Sequence, residues 1–484
     1  MSDESLSALD TIFATMDSEN APLHMGILIE LAPRETGGGD PGVRFEEIRS
    51  TIEERLGKIP LLRRRLLRVP FDLGPPILVD DPNFNLDDHV IRRALPEPGD
   101  SEALEELAAR LLARPLVPDR PRWEISVVEG LEGGGTALIG KVHHALADGV
   151  SAVMVFAGLF DIDPGSPTPG PQIDLDPAAA LPTPLEMLTR SSSEALRRPG
   201  AILEAIGAAF GRAATKIDVL TGAASAPDAD DHDSVSLLDA PRTSLSGTIS
   251  YSRRLERVGF DLASMKTVAR ANGATVTDLA MTIVGGAVRH LLSLRGEDPE
   301  NDLVAFVPVN IRQVGTEADL GNKISARLVP LHTTIVDPLE RLSVIAAMSA
   351  GRRDESVDGG SDVVNELADA AGPTIASIAG NVIQAFDLFD HLPHGANLIL
   401  SSVPGPPFPL WCAGERIVRA TGIGPLMFNQ GLNVTLLSYD DSLEFAIFGC
   451  ERHLPDSVLL RELIEVSAAE FLGDPLTTPE ASVG

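Results

Sequence analysis

The segment Lys141-Val-His-His-Ala-Leu-Ala-Asp-Gly-Val150 constrains this chain more than any other. Before it, Ala137-Leu-Ile-Gly-Lys-Val142 has the apolar pattern of a strand. After it, Val150, Val153, Met154 and Leu159 form a helical apolar pattern starting near Gly149. A strand therefore hands over to a helix through a tight turn at Asp148-Gly149, which calls for a mixed helix–strand architecture. With 10 histidines in 484 residues, an adjacent pair is expected by chance roughly 0.2 times. Requiring Asp148 and Gly149 at fixed offsets makes coincidence rarer still.

The residue types suit general-base activation of a hydroxyl. A hydroxyl is a weak nucleophile near neutral pH, and a neutral imidazole can take its proton as it attacks a carbonyl, a gain of about 10²–10⁴-fold. The imidazole must be held in one tautomer, which needs a fixed partner on its other nitrogen. On a continuing strand His143 and His144 point to opposite sides, so at most one faces a cleft. Asp148 reads better as the carboxylate of a structural ion pair than as a proton carrier, and Gly149 permits the tight backbone. No third ligand stands at metal-site spacing, so no metal is expected.

The same alternation runs along the chain. Met25–Leu31 and Trp123–Val128 read as strands, the latter joined to Ala137–Val142 through Gly133-Gly-Gly135 as a hairpin. Phe45–Leu56 reads as a helix. Prolines from Pro164 to Pro184 mark a linker, followed by a helical stretch Ala201–Leu220 and the acidic run 227–233. Three regions result: 1–160, a linker 161–240, and 241–484. In the last, Asp261–Ala271 and a helix capped by Thr275 and running to Leu294 alternate with strands at Val304–Val309 and Asn397–Val403. A hairpin turns about Asp440-Asp441.

Composition excludes several functions. With 39 Lys+Arg against 70 Asp+Glu the net charge is −31, which argues against nucleic-acid binding. Two cysteines, Cys412 and Cys450, cannot form a disulfide framework and suit a reducing cytosol. The N-terminus lacks the features of a signal peptide. The most apolar stretch, Thr275–Leu294, carries Asp278, Arg289 and His290 and reads as a buried helix, so the expectation is a soluble protein able to rest on a lipid surface.

HHALADG resembles the HHxxxDG motif of the CoA-dependent acyltransferases. Further segments resemble one branch, the bacterial wax ester synthase/acyl-CoA:diacylglycerol acyltransferases. They are Leu9-Asp10, Pro22-Leu-His-Met-Gly26, Asn83–His89 with Leu95–Gly99, Pro115-Leu116 with Asp119–Glu124, Val307–Arg312, Gly321-Asn322, Ser402–Pro406 and Gly431–Asp440. Nearly the whole chain outside the linker is covered. Three positions depart from the family pattern: Arg122 stands where Leu is usual, Thr277-Asp278 where Asn-Asp is usual, and Ser402 where Asn is usual.

The resemblance implies an α/β (α+β two-layer sandwich) fold of two chloramphenicol-acetyltransferase-like domains, with the active site in a channel between them. It implies transfer of a fatty acyl group from acyl-CoA, a co-substrate rather than a cofactor, to diacylglycerol or a long-chain alcohol. His144 would be the general base, with His143, Asp148 and Gly149 completing the motif. Asn310 and Ser402 are the candidate oxyanion donors; for Asn310 the alternative is a side chain bonded to nearby backbone. Ser402, Thr277 and Asp278 are assigned to the substrate side, with helix capping as the alternative for the last two. Arg312 is a candidate partner of Asp148. The cluster Arg63-Arg-Arg65 with Arg68 is either a solvated helix face or a contact for CoA phosphates or anionic lipid. The expected location is cytoplasmic, with peripheral contact to the inner membrane or lipid inclusions. The competing readings are a condensation-type transferase using carrier-bound acyl groups and a non-catalytic lipid-inclusion protein. Preference for a carrier-linked donor would mark the first, and lipid binding without turnover the second.

Overall fold

In a computed structural model, residues 4–34, 41–70, 74–164, 181–187, 189, 240–298, 300–310, 324–354, 395–427 and 429–473 are described. Most of the linker, the helix expected at 201–220, the acidic run, Arg312 and Gly321-Asn322 lie outside them.

The first half runs β1 (Glu4–Ser5), α1 (Ala8–Met16), β2 (His24–Leu31), α2 (Pro41–Arg55), β3 (Arg64–Leu67), β4 (Ile77–Asp80), β5 (Val90–Ala94), α3 (Ser101–Leu112), β6 (Trp123–Glu129), β7 (Thr136–His143) and α4 (Gly149–Ala157). The second runs β8 (Arg253–Asp261), α5 (Leu262–Ala271), α6 (Val276–Leu294), β9 (Val304–Asn310), β10 (Ile324–Pro330), α7 (Pro338–Asp354), β11 (Leu398–Pro404), β12 (Trp411–Cys412), β13 (Glu415–Ile423), β14 (Leu432–Tyr439), β15 (Ser442–Cys450) and α8 (Ser457–Leu472). The expected α/β sandwich is thus what the chain adopts.

Each half is built round a six-stranded sheet, ordered β12-β13-β2-β7-β6-β5 in the first and β10-β9-β11-β14-β15-β8 in the second. The first sheet is not made by the first half alone. Strand β13 pairs antiparallel with β2, from Ile417 opposite Leu31 to Ile423 opposite Gly26. The reason is visible in β2, where every residue but Glu30 is buried. Such a strand cannot remain an open edge, and a strand from the far half closes it. The expected hairpin closes on Tyr439 opposite Ser442, with Asp440 at φ 51°, the left-handed conformation a two-residue turn requires.

The second core wraps α6, whose Leu279, Ile283, Val284, Val288 and Leu291 are all buried. Its N-terminus is closed by a capping box. Thr275 Oγ1 accepts from Asp278 N–H at 3.1 Å, and Asp278 Oδ2 accepts from Thr275 N–H at 2.8 Å. Helix α3 packs between the sheets, its Leu104, Ala108 and Leu112 in one apolar cluster with Leu255 and Phe448 of the second half. The two domains therefore share buried surface as well as a strand exchange.

Candidate active site at the domain seam

The β2–β7 ladder ends with His24 opposite His143. Beyond it the chain turns. His144 N–H donates to Leu23 O at 2.9 Å, and Leu146 N–H donates to His143 O at 2.9 Å. Asp148 then caps α4: its side chain accepts from Ser151 N–H at 2.8 Å and is fully buried. The strand-to-helix handover read from the sequence is present. In the described contacts Asp148 serves the helix end.

The two histidines diverge. The His144 ring stacks on Phe13 of α1, with centroids 4.0 Å apart and planes 19° apart, and only 6% of the residue is exposed. His143 is buried against Asp17 and Arg122. Its Nδ1 accepts from Ala145 N–H at 3.1 Å, so in the neutral ring the proton sits on Nε2, 3.2 Å from Asp17 Oδ2. Burial lowers the His143 pKa, the bond to Asp17 opposes this, and the Arg122 charge adds to the lowering. Burial also works to raise the Asp17 pKa, yet the His143 hydrogen bond and charge hold it down at about 2.

Gly149 sits where the halves meet. A Cβ there would lie 3.0 Å from Val403 Cγ2 and 3.6 Å from Met25 Cε, so a side chain would wedge α4 off β11. A narrow apolar crevice opens beside it, lined by Met25, Gly149, Val153, Phe156, Val403 and Leu437, with about 300 Å³ of void including its mouth. Parallel pairing of Ala305 with Leu398 brings Asn310 and Val403, each five residues further (305 to 310, 398 to 403), to the same end of the second sheet. Asn310 is thus placed by its backbone at the end of β9 nearest this seam.

Of the substrate-side candidates, Thr277 and Ser402 come together, Oγ1 to Oγ 3.2 Å, on the exposed side. Asp278 does not join them. Besides its capping bond it accepts from Ser349 Oγ at 2.7 Å, which makes it a buried anchor between α6 and α7. The arginine cluster is no helix face. Arg63 ends a 3-10 turn and is buried, while Arg64 and Arg65 begin β3. Arg68 Nη2 donates to Ala14 O near the end of α1 at 2.9 Å. Among the described residues no group of three or more His, Cys, Asp or Glu could hold a metal ion.

Several residues of this region were not singled out for a role by sequence reasoning. Asp17 caps the end of α1 in an otherwise ordinary polar loop. His24 and Lys141 satisfy the carbonyls at the C-terminus of α3: His24 Nε2 donates to Leu112 O at 2.7 Å, and Lys141 Nζ donates to Leu111 O and Arg114 O at 3.2 and 3.1 Å. Only the position of His24 opposite His143 could have signalled it, and that register is not written locally.

His24 has a measurable consequence. Burial, helped by the Lys141 charge, pushes its pKa from the ordinary 6.5 down to about 3. Above pH 6.5 neither the folded nor the unfolded chain binds this proton, and its effect on stability is flat. Below 6.5 the unfolded chain takes it and the folded chain refuses it, so stability falls by about 1.4 kcal/mol per pH unit, roughly 3 kcal/mol by pH 4. Urea midpoints at pH 7, 5.5 and 4 should fall more steeply for the native chain than for His24→Gln. Parallel slopes would refute this.

Residues 6–280 match the wax ester synthase/diacylglycerol acyltransferase catalytic domain, and residues 320–471 match the C-terminal domain of the same family. A Mycobacterium tuberculosis protein described as a probable diacylglycerol O-acyltransferase is 30% identical over 479 residues, covering 96% of this chain and 95% of the relative. The solved wax ester synthase/diacylglycerol acyltransferase from Marinobacter aquaeolei VT8 superposes with a TM-score of 0.68 at 26% identity, over 96% of this chain and 98% of that one. The first condensation domain of the calcium-dependent antibiotic synthetase, 17% identical with a TM-score of 0.54 over 98% and 97% of the two chains, has a similar fold. With its two domains, its strand exchange and its His-His-Asp-Gly turn at the seam, the chain belongs to the wax ester synthase/diacylglycerol acyltransferase family.

Proposed function

We propose that this acyltransferase moves a fatty acyl group from acyl-CoA to the hydroxyl of a diacylglycerol or long-chain alcohol, with His144 as general base. The observation that carries the reading is the placement of His144: a buried ring, stacked on Phe13, in a turn tied to Leu23 that leads into Gly149, the residue packed on Val403 of β11. The acceptor hydroxyl gives its proton to the imidazole as its oxygen attacks the thioester carbonyl. The tetrahedral oxyanion collapses, the carbon–sulfur bond breaks, and the leaving CoA thiolate takes the proton back from the imidazolium. The products are one ester and one CoA thiol.

Asn310 and Ser402 are the residues proposed to stabilise the oxyanion and position substrate, with Thr277 beside Ser402. Asp148 and Gly149 shape the turn and its contact with β11. No described helix is long and apolar enough to cross a membrane. A water-insoluble acceptor is then reached by peripheral contact with the cytoplasmic face of the membrane or with lipid inclusions.

The test is direct. Purified protein is incubated with palmitoyl-CoA and either a diacylglycerol or hexadecanol, and thiol release and the lipid product are measured. The expected result is thiol release matched by triacylglycerol or wax ester. A folded protein that forms neither ester overturns the reading.

A further inference from the structure

His143 is held by a closed circuit of contacts that starts outside its motif. Its backbone N–H donates to Arg122 O at 2.9 Å, while the neighbouring His144 N–H donates to Leu23 O at 2.9 Å. Leu23 N–H in turn donates to Asp17 Oδ1 at 2.9 Å, and Asp17 Oδ2 lies 3.2 Å from His143 Nε2. The Arg122 guanidinium closes the circuit, its Nη1 3.6 Å from Asp17 Oδ2 and 3.1 Å from His143 Nε2. One carboxylate therefore ties the ring of His143 to Leu23, the residue before β2 that holds the backbone of His144.

The chemistry of the ring selects one proton arrangement. Ala145 N–H is a donor in every protonation state, so Nδ1 must be bare to accept it. The ring proton then sits on Nε2 and goes to Asp17, so Arg122 Nη1, itself a donor and 3.1 Å from the same nitrogen, makes no hydrogen bond to it in this tautomer and is held beside it by the Asp17 charge. A doubly protonated ring would set two donors face to face at Ala145 and a second cation beside Arg122. In a chain of net charge −31, this buried guanidinium compensates a half-buried carboxylate.

We propose that Asp17 and Arg122 are positioning residues that hold His143 as its neutral Nε2–H tautomer, so that His143 fixes the 143–146 turn presenting His144. This rests on the reading of His144 as the base. Neither residue touches substrate in this account. Their effect passes through the turn, where a misplacement of about 1 Å costs roughly 10²-fold in rate.

The test uses the full chain. Asp17→Asn keeps an acceptor for Leu23 N–H but presents the wrong partner to His143 Nε2. It should lower kcat by roughly 10²-fold with KM for palmitoyl-CoA nearly unchanged, because the loss lies in the transition state. Arg122→Ala should lower kcat less, and Arg122→Lys should restore part of it. Nitrogen-15 spectra of histidine-labelled protein should show His143 with a bare Nδ1, and Asp17→Asn should disturb that signature. An unchanged kcat in Asp17→Asn, or a native His143 protonated on Nδ1, overturns the proposal. The tautomer is read without turnover, so its failure is separate from the absence of ester product, which would overturn the acyl-transfer reading instead.

Discussion

Ester formation by the His144→Ala variant is expected to fall by about 10²–10⁴-fold in kcat, the range lost with a general base. The residue is buried and its ring is stacked on Phe13, so its removal also leaves a gap beside α1. Truncation could therefore slow the enzyme by loosening the turn. His144→Asn separates the two causes: it retains a planar polar group but cannot take the proton. Both variants should keep KM for palmitoyl-CoA within a few-fold, because the proton moves only in the transition state. Initial rates of thiol release with saturating diacylglycerol make the measurement. If His144→Asn turned over at the native rate, the assignment of the base would fall.

The largest stability effect is expected at Arg257, which lies on β8 with a fully buried side chain. It donates from Nη1 to Glu30 of β2 at 2.6 Å and from Nε to Glu105 of α3 at 2.9 Å, clamping the second sheet to the first domain. Arg257→Ala leaves two half-buried carboxylates without their shared cation, and breaking a pair whose cation is fully buried costs up to about 3–5 kcal/mol. The loss should appear as a lower urea midpoint at pH 7.

The pH dependence follows from Glu105. Burial already raises its pKa, with Arg257 opposing. Without the guanidinium the pKa rises further. A carboxyl whose folded pKa is raised favours folding at low pH and loses that contribution as pH rises through the folded value. The gap between Arg257→Ala and the native chain should therefore narrow as pH falls from 7 toward 5. A gap that stays constant or widens would show that Glu105 is not the group left uncompensated.

Elements set by local pattern were legible in the sequence. The strands at 123–129 and 136–143, the helix opening at Gly149, the capped helix from Val276 and the hairpin about Asp440 all depend on neighbours within a few residues. Helices α3 and α8 were not read, although α3 has an aspartate cap and an apolar stripe. The partners of the motif were illegible for another reason. Asp17 reaches His143 across a chain separation far beyond any local pattern, and His24 meets His143 only through strand register.

What the linear sequence determined by itself is the construction of the turn. A capping aspartate and a glycine in fixed order after the strand carry their own reason, because a helix cap and a close backbone approach are properties of those residue types at that spacing. What only the tertiary structure decided is what surrounds each histidine. Phe13 covers His144, Asp17 and Arg122 take His143, β13 crosses from the second half to seal β2, and Arg257 locks the two sheets. Those assignments arise because buried polar groups must find partners and buried strands must find neighbours wherever the fold brings them, and proximity in the chain does not predict that meeting.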